Sequence, residues 1–549
     1  MNKTVVAAAL GECVHVAGIS NFLRLAETAG WETIFLGPAV PIESVLQAAR
    51  EHHAGLVGIS YRLTPETAQR LLGDFAEAAD ELRSQGVHFA FGGTPPVAEK
   101  ARALSFFEQV FDGSEHTEEI LAYLKGQPLH AKTSQKDFPQ TMLERLRWKA
   151  PLPLLRHHFG LPTMQATMNG IAEIARARAL DVISLGIDQD AQANFFHPDR
   201  QDPQRKGAGG VPVRTPEDYK SLYAASRQGN YPLMRTYSGT DDFIELAQMY
   251  VETINNAWCA IPLFWFNQMD GRGPWDLEGS IREHQRVMAW YGHHNIPVEL
   301  NEPHHWGMRD SSDVIFIVAA YLAAYNAHAF GVNDYIAQLM FNSPAGLSGR
   351  MDLAKMLAVL RMIEPLRSDD FRIYRQTRTG LLSYPLADGA ARAHLATSIY
   401  MQMALKPDIV HIVGHTEAHH AATANDVIQA AEMARRSIEI ALNDMADMTA
   451  DPLVQAQVDF LVNEALLTLD AIRALAPVSH PDPLTDPTIL ARAVTSGILD
   501  APQLKNNRFA RGEIRTRIIS GASQACDIHG NPIGEAERLR SLIIKGASE

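Results

Sequence analysis

Over the first 125 residues, short apolar runs alternate with longer stretches whose apolar positions fall on one helical face. TVVAAAL, ETIFLG, GLVGIS and VHFAFGG read as strands; NFLRLAETAG, PIESVLQAAREHH, TPETAQRLLGDFAEAADELRSQG and HTEEILAYLKG read as helices. Short apolar strands, each followed by an amphipathic helix, predict a parallel sheet of about five strands buried on both faces. The expected fold of residues 1–125 is an α/β, Rossmann-like (flavodoxin-like) domain. GQPLHAKTSQKDFPQT, residues 126–141, is polar, carries two prolines and reads as a linker.

The rhythm then resumes on a larger scale. LDVISLGID, YPLMRTYSG, AIPLFWFN, IPVELNEPHHW, VNDYIAQLMFN, DFRIYRQTR and DIVHIVGHTE are strand candidates, most of them followed by a helical stretch such as TDDFIELAQMYVETINN. One further strand near the start would complete a (β/α)8 TIM barrel over residues 142–480, with its active site at the carboxyl ends of the strands. An open doubly wound sheet is the rival arrangement. Residues 481–549, rich in proline and then in glycine and arginine, read as an extension packed on the barrel.

Composition narrows the function classes. The net charge of -14 and the absence of a concentrated Lys/Arg block exclude nucleic acid as an expected partner. No apolar run reaches membrane-spanning length and MNKTVVAAALGEC lacks the parts of a signal peptide, so no membrane partner and a cytoplasmic location are expected. Cys13, Cys259 and Cys526 are too few and too scattered for a disulfide framework or a paired-CxxC metal site.

In an open parallel sheet the ligand lies beyond the carboxyl ends of the strands. There stand GECVHVAG (11–18), Ser60 to Thr64, and Gly92 with Gly93. A neutral imidazole such as His15 is a good transition-metal ligand, and its second nitrogen needs an acceptor. The segment resembles the cobalamin-binding domain shared by B12-dependent mutases and methionine synthase, whose pattern is Asp-x-His-x-x-Gly, then Ser-x-Leu, then Gly-Gly. His15 and Gly18 match, and 41 residues separate Gly18 from Ser60, the family's spacing. Cys13 stands where the family has Asp, and Arg62 where it has Leu, with Leu63 adjacent. The resemblance implies that His15 is the lower cobalt ligand, supported by a poorer partner at Cys13. It also implies that Gly18, Ser60, Arg62, Leu63, Gly92 and Gly93 surround the cofactor's nucleotide tail.

The barrel segment resembles the epsilon chain of glutamate mutase (methylaspartate mutase), through MRTYSGTDDFIELAQM, DLEGSIREHQRVMAWYGHHNIPVELNEP, GVNDYIAQLMFNSPAGLSGRMDLAKMLAVL and DIVHIVGHTEAHHAATANDVIQAAEMAR. That family implies that Arg235 pairs with a substrate carboxylate, that Glu302 lies near a substrate amine, and that Glu417 touches the ribose of an adenosyl group. Gln192 stands about where the family has an arginine near the corrin. Other positions depart from it: AIPLFWFN lacks the catalytic-site glutamate, Gly414 replaces a lysine, and HHFGLPT replaces a glycine-rich stretch that carries another substrate arginine.

The expected function is therefore an adenosylcobalamin-dependent radical isomerase acting on a small carboxylate substrate other than glutamate, with a homodimer implied by the same family. A methylcobalamin-dependent methyltransferase and a non-catalytic corrinoid-binding protein are the alternatives. His304, His305, His415, His419 and His420 are candidate ligands for a Lewis-acid metal in the methyltransferase case.

Overall fold

The computed structural model describes residues 3–115, 117–126 and 135–546. The chain divides into two compact units, residues 1–133 and 134–549. Of the expected linker, residues 127–134 lie outside the described residues; Gln135–Asp137 form a short 3-10 turn, and Met142–Lys149 is already helical.

The first unit is a five-stranded parallel sheet of β1 (Thr4–Leu10), β2 (Glu32–Val40), β3 (Leu56–Tyr61), β4 (His88–Gly93) and β5 (Gln109–Phe111), in the order β2-β1-β3-β4-β5. Every residue of β1 is buried because helices cover both faces of the sheet. Successive side chains point to opposite faces, so Val6, Ala8 and Leu10 join one apolar cluster while Val5 and Ala7 join the other. The order reverses between β1 and β3, and a crevice opens beyond their carboxyl ends.

The second unit contains eight parallel strands: β6 (Leu154–Phe159), β7 (Val182–Leu185), β8 (Leu233–Arg235), β9 (Cys259–Ile261), β10 (Val298–Leu300), β11 (Asp334–Phe341), β12 (Arg372–Thr379) and β13 (Ile409–His411). The first strand pairs with the last, Arg156 opposite His411, which rules out the open doubly wound sheet. The seam between β8 and β9 is carried by one backbone bond, from Ala257 N–H to the Met234 carbonyl at 2.9 Å. The result is a nearly closed (β/α)8 barrel. Strand β6 is the eighth strand that the apolar pattern left unnamed. Of AIPLFWFN only Ala260 and Ile261 lie in the sheet, and Leu263 to Phe266 form a buried loop that ends on Phe266 with φ 65°.

Residues beyond the last barrel helix, Ala424–Leu442, pack on the barrel's outside. Ser523 N–H donates to Asp313 at 3.0 Å, and Thr516 Oγ1 donates to the Asp310 carbonyl at 2.6 Å. This cover explains why helix Asp313–Ala329 is apolar almost all round.

Where β6 and β7 end, Gly160 and Gly186 bring two backbones together: a Cβ on Gly160 would stand 1.9 Å from the Gly186 carbonyl oxygen. Gly160→Ala should cost about 2 kcal/mol or more, because backbone must move. Gly18→Ala, whose Cβ meets nothing within 4 Å, should leave stability unchanged. Urea unfolding of each variant against the native chain checks the contrast, and equal midpoints would contradict the close packing.

Candidate functional site

Each unit carries its own concavity at the carboxyl ends of its strands. In the first, a cleft of about 390 Å³ is lined by His15, Gly18, Phe22, Ser60, Arg62 and Gly92, among others. Ser60 ends the straight part of β3 with its Oγ buried and without a hydrogen-bond partner. A buried hydroxyl left in that state costs roughly 1–3 kcal/mol, so the site is built for a ligand that bonds it. A Cβ on Gly92 would stand in open cleft, whereas one on Gly93 would strike Phe91 and the Tyr61 carbonyl at 2.8 Å. Gly92 therefore keeps the cleft accessible, and Gly93 is required by packing.

His15 is exposed in the loop between β1 and helix Ala17–Thr28. Cys13 is fully buried in the apolar cluster on the face opposite Ile19 and Phe22, and it does not line the cleft. Leu63 is largely exposed and lies outside the lining. The structure thus brings His15, Gly18, Ser60, Arg62, Gly92 and Gly93 together and leaves Cys13 and Leu63 apart from them.

In the barrel a cavity of about 1050 Å³ opens above a charged layer. Barrel interiors are normally filled by apolar side chains contributed four at a time from alternate strands. Here β6, β8, β10 and β12 contribute Arg156, Arg235, Glu299 and Gln376; two residues further along the chain stand His158 and Arg378, still in β6 and β12, and Tyr237 and Asn301, just beyond the ends of β8 and β10. Strand alternation puts both sets on the inner face.

Arg156 Nη2 donates to both Glu299 oxygens at 2.9 and 3.1 Å, its Nε to Gln376 at 2.7 Å, and its Nη1 to Ser184 Oγ at 3.1 Å. Arg235 Nε donates to the same Ser184 oxygen at 2.9 Å, and its Nη1 lies 3.7 Å from Glu299. Trp258 Nε1 at 2.8 Å and Gln338 Nε2 at 3.1 Å complete the donors around the carboxylate. Burial opposes ionisation of Glu299, but Arg156 and Arg235 outweigh it and hold the carboxyl at about 2. Burial, reinforced by the nearby arginines, pushes His158, His304 and His411 well below the usual imidazole range, so they are neutral at pH 7.

Arg235, expected at a substrate carboxylate, is thus in the cavity, 1% exposed, and its Nη1 lacks a hydrogen-bond partner. Arg378 Nε is likewise buried and unpartnered. Glu417 lines the mouth and is exposed, and Gln192 lines the wall with its amide donating to the Ile187 carbonyl at 3.0 Å. Glu302 is not among the lining residues. Its carboxylate accepts from the Leu263 and Phe264 N–H groups at 2.6 and 3.0 Å and from Trp306 Nε1 at 2.7 Å, so it clamps the loop after β9. Phe266 reaches the lining, while Phe264 and Trp265 pack behind it.

Sequence reasoning missed Arg156, Glu299, Gln338 and Arg378. For Glu299 the available signal was a charge between two apolar residues in VEL; Gln338 is uncharged and Arg378 lies in the polar strand RIYRQTRT, so neither stood out. The histidines considered as metal ligands do not converge: among the described residues, the group of three able to hold an ion is His197, Asp241 and Asp242.

Residues 3–122 match the family model described as the B12 binding domain. The first unit is a cobalamin-binding α/β domain, and the orphan hydroxyl of Ser60 and the open space at Gly92 fit such a cofactor. A solved structure of a novel cobalamin-binding protein from Desulfitobacterium hafniense DCB-2 is 22% identical, over 20% of this chain and 52% of its own, with a TM-score of 0.18. A GH138 enzyme targeting pectin rhamnogalacturonan II is 6% identical over 85% of this chain and 55% of its own, with a TM-score of 0.32. The chain therefore spans about half the length of each. No curated protein matches the chain.

Replacing Glu299 by Gln leaves buried cations without their counter-charge and should cost roughly 3–5 kcal/mol in urea unfolding at pH 7. Because folding lowers the Glu299 pKa from an ordinary 4.5 to about 2, its contribution is present above pH 4.5 and is lost as pH falls toward 2. Glu299→Gln should lack this part of the acid dependence; identical pH profiles would show that the carboxylate is not held by the arginines.

Proposed function

We propose that the chain is an adenosylcobalamin-dependent carbon-skeleton isomerase that acts on a carboxylate-bearing substrate other than glutamate. The observation that carries this reading is the buried arginine group. Arg156 is engaged by Glu299, whereas Arg235 Nη1, 3.7 Å from the same carboxylate, and Arg378 Nε are buried donors without a hydrogen-bond partner. Guanidinium forks of this kind recognise carboxylates, and their burial strengthens each charge-assisted bond.

In the first domain, Ser60 Oγ would donate to the cofactor's nucleotide tail, the space at Gly18 and Gly92 would admit it, and His15 would be the residue available to the cobalt. When bound, the cofactor supplies a cobalt–carbon bond whose homolysis starts radical chemistry. The barrel's residues anchor and enclose. Arg235 and Arg378 fix the substrate carboxylate, neutral imidazoles add no further positive charge, and Tyr237 stacked on His158 at 5.1 Å contributes aromatic wall that keeps water from reactive carbon. Glu417 and Gln192 offer polar contacts to a sugar hydroxyl or an amide.

A second reading is methyl transfer from methylcobalamin. It is favoured by the loop Leu263 to Phe266, which puts apolar groups where the resembling family has a catalytic carboxylate, and by Glu299 being engaged by its own cations. A non-catalytic corrinoid carrier gives no role to the unbonded donor atoms of Arg235 and Arg378 inside the barrel.

Anaerobic titration of the full chain with adenosylcobalamin and with methylcobalamin separates these readings. The adenosyl form should bind, and small carboxylic acids should then elicit a cobalt–radical EPR signal that Arg235→Met abolishes without weakening cofactor binding. Binding of the methyl form alone would sink the isomerase. Ser60→Ala should loosen either cofactor by about fivefold, the worth of one hydrogen bond, and His15→Ala should remove the spectral signature of imidazole ligation.

A further inference from the structure

His304 is 6% exposed and lines the barrel cavity. Its Nδ1 lies 2.7 Å from Gln338 Oε1, and the other end of the same amide donates to Glu299 at 3.1 Å. An ionised carboxylate only accepts, so the Gln338 end that faces Glu299 is its NH2, and the end that faces His304 is its carbonyl. His304 Nδ1 must then carry the proton. The ring is fixed in one tautomer by a chain that begins at the buried carboxylate, and Nε2 is left as a bare lone pair.

Among the described residues no protein group donates to that lone pair. The imidazole of His305, whose ring centroid lies 4.0 Å away, bonds through neither of its own nitrogens. Burial, with Arg378 nearby, keeps His304 neutral. His304 Nε2 is not among the buried atoms without a partner, although no side chain bonds it, so it is an acceptor that a ligand's donor can reach in the cavity His304 lines, beside the free donors of Arg235 and Arg378.

Two common groups next to a carboxylate could supply it, a hydroxyl or an ammonium. The charges discriminate. Arg156, Arg235 and Arg378 line the cavity against Glu299, whose oxygens already accept from Arg156, Trp258 and Gln338, and against Glu417 at the exposed mouth. A buried ammonium would add a cation with no free counter-charge at that depth, which desolvation makes expensive; a hydroxyl adds none. We propose that the substrate is a hydroxy acid, its carboxylate held by Arg235 and Arg378 and its hydroxyl donating to His304 Nε2. This rests on the carboxylate reading given above, and it makes Gln338 a positioning residue.

Calorimetric titration of the full chain with glutarate, with each enantiomer of 2-hydroxyglutarate and with glutamate tests it on one carbon skeleton. One 2-hydroxyglutarate enantiomer should bind at least about tenfold tighter than glutarate or glutamate, the discrimination expected of a site built to bond a hydroxyl. His304→Ala should remove the preference while keeping the affinity for glutarate. Gln338→Leu should weaken it with the ring still present. In 15N spectra of histidine-labelled protein, the same variant should convert His304 from a single Nδ1–H tautomer to a mixture. Equal binding of glutarate and 2-hydroxyglutarate would overturn the hydroxy-acid inference and leave the carboxylate reading intact, as would tightest binding of glutamate. A native His304 with its proton on Nε2 would overturn the inference directly. Failure of every one of these acids to bind would overturn both.

Discussion

A carboxylate at the axis of a barrel stays ionised only if cations and donors replace the water it has lost, and Glu299 is surrounded accordingly. Arg156 grips both oxygens, Arg235 adds charge from the next alternate strand, and Trp258 and Gln338 fill the remaining positions. The partners of these partners follow from the same need: Ser184 serves both arginines, and Gln376 takes the third donor of Arg156. One buried charge on β10 thus dictates side chains on five other strands. Such a layer gives up the apolar filling that normally stabilises a barrel, a loss that a merely structural interior has no reason to accept. What it gains is a set of cations whose surplus over Glu299 creates a positive potential at the cavity floor.

The two concavities are built on different physics. The N-terminal cleft uses backbone: a sheet that reverses direction at β1 and β3, a glycine without a side chain, and one hydroxyl. The barrel uses charge at depth. The first arrangement suits a long, flexible tail threaded along strand ends; the second suits a small anion that must be fixed in one orientation.

The sequence made the elements legible wherever burial alone set the residue type, as in β1, β3 and β11. It failed at two instructive places. LLRHHF, the first barrel strand, carries Arg156, His157 and His158 and so breaks the apolar run that marks its neighbours; the residues that hid the strand are those that build the cavity. AIPLFWFN errs in the other sense: Leu263 to Phe266 are apolar because they are buried, Phe264 and Trp265 against Trp306, with no ladder involved. The candidate site shows the same division. His15, Gly18, Ser60 and Gly92 were readable because their spacing reflects strand ends. Glu302 drew attention through resemblance, whereas Glu299, three residues earlier, is the carboxylate inside the cavity, a distinction that depends on which way each side chain turns.

Cys13 has a consequence of another kind. A carboxylate at that point of the fold could be tolerated only with a partner, so the integrity of the loop and the ligation of a metal by His15 would be thermodynamically linked. A thiol joins the apolar cluster that also holds Val40, Leu72 and Phe91 as a small apolar group and asks for nothing. The domain's core is thereby complete at this position without a charged partner. Whatever occupies the cleft, position 13 presents it with no buried charge to neutralise.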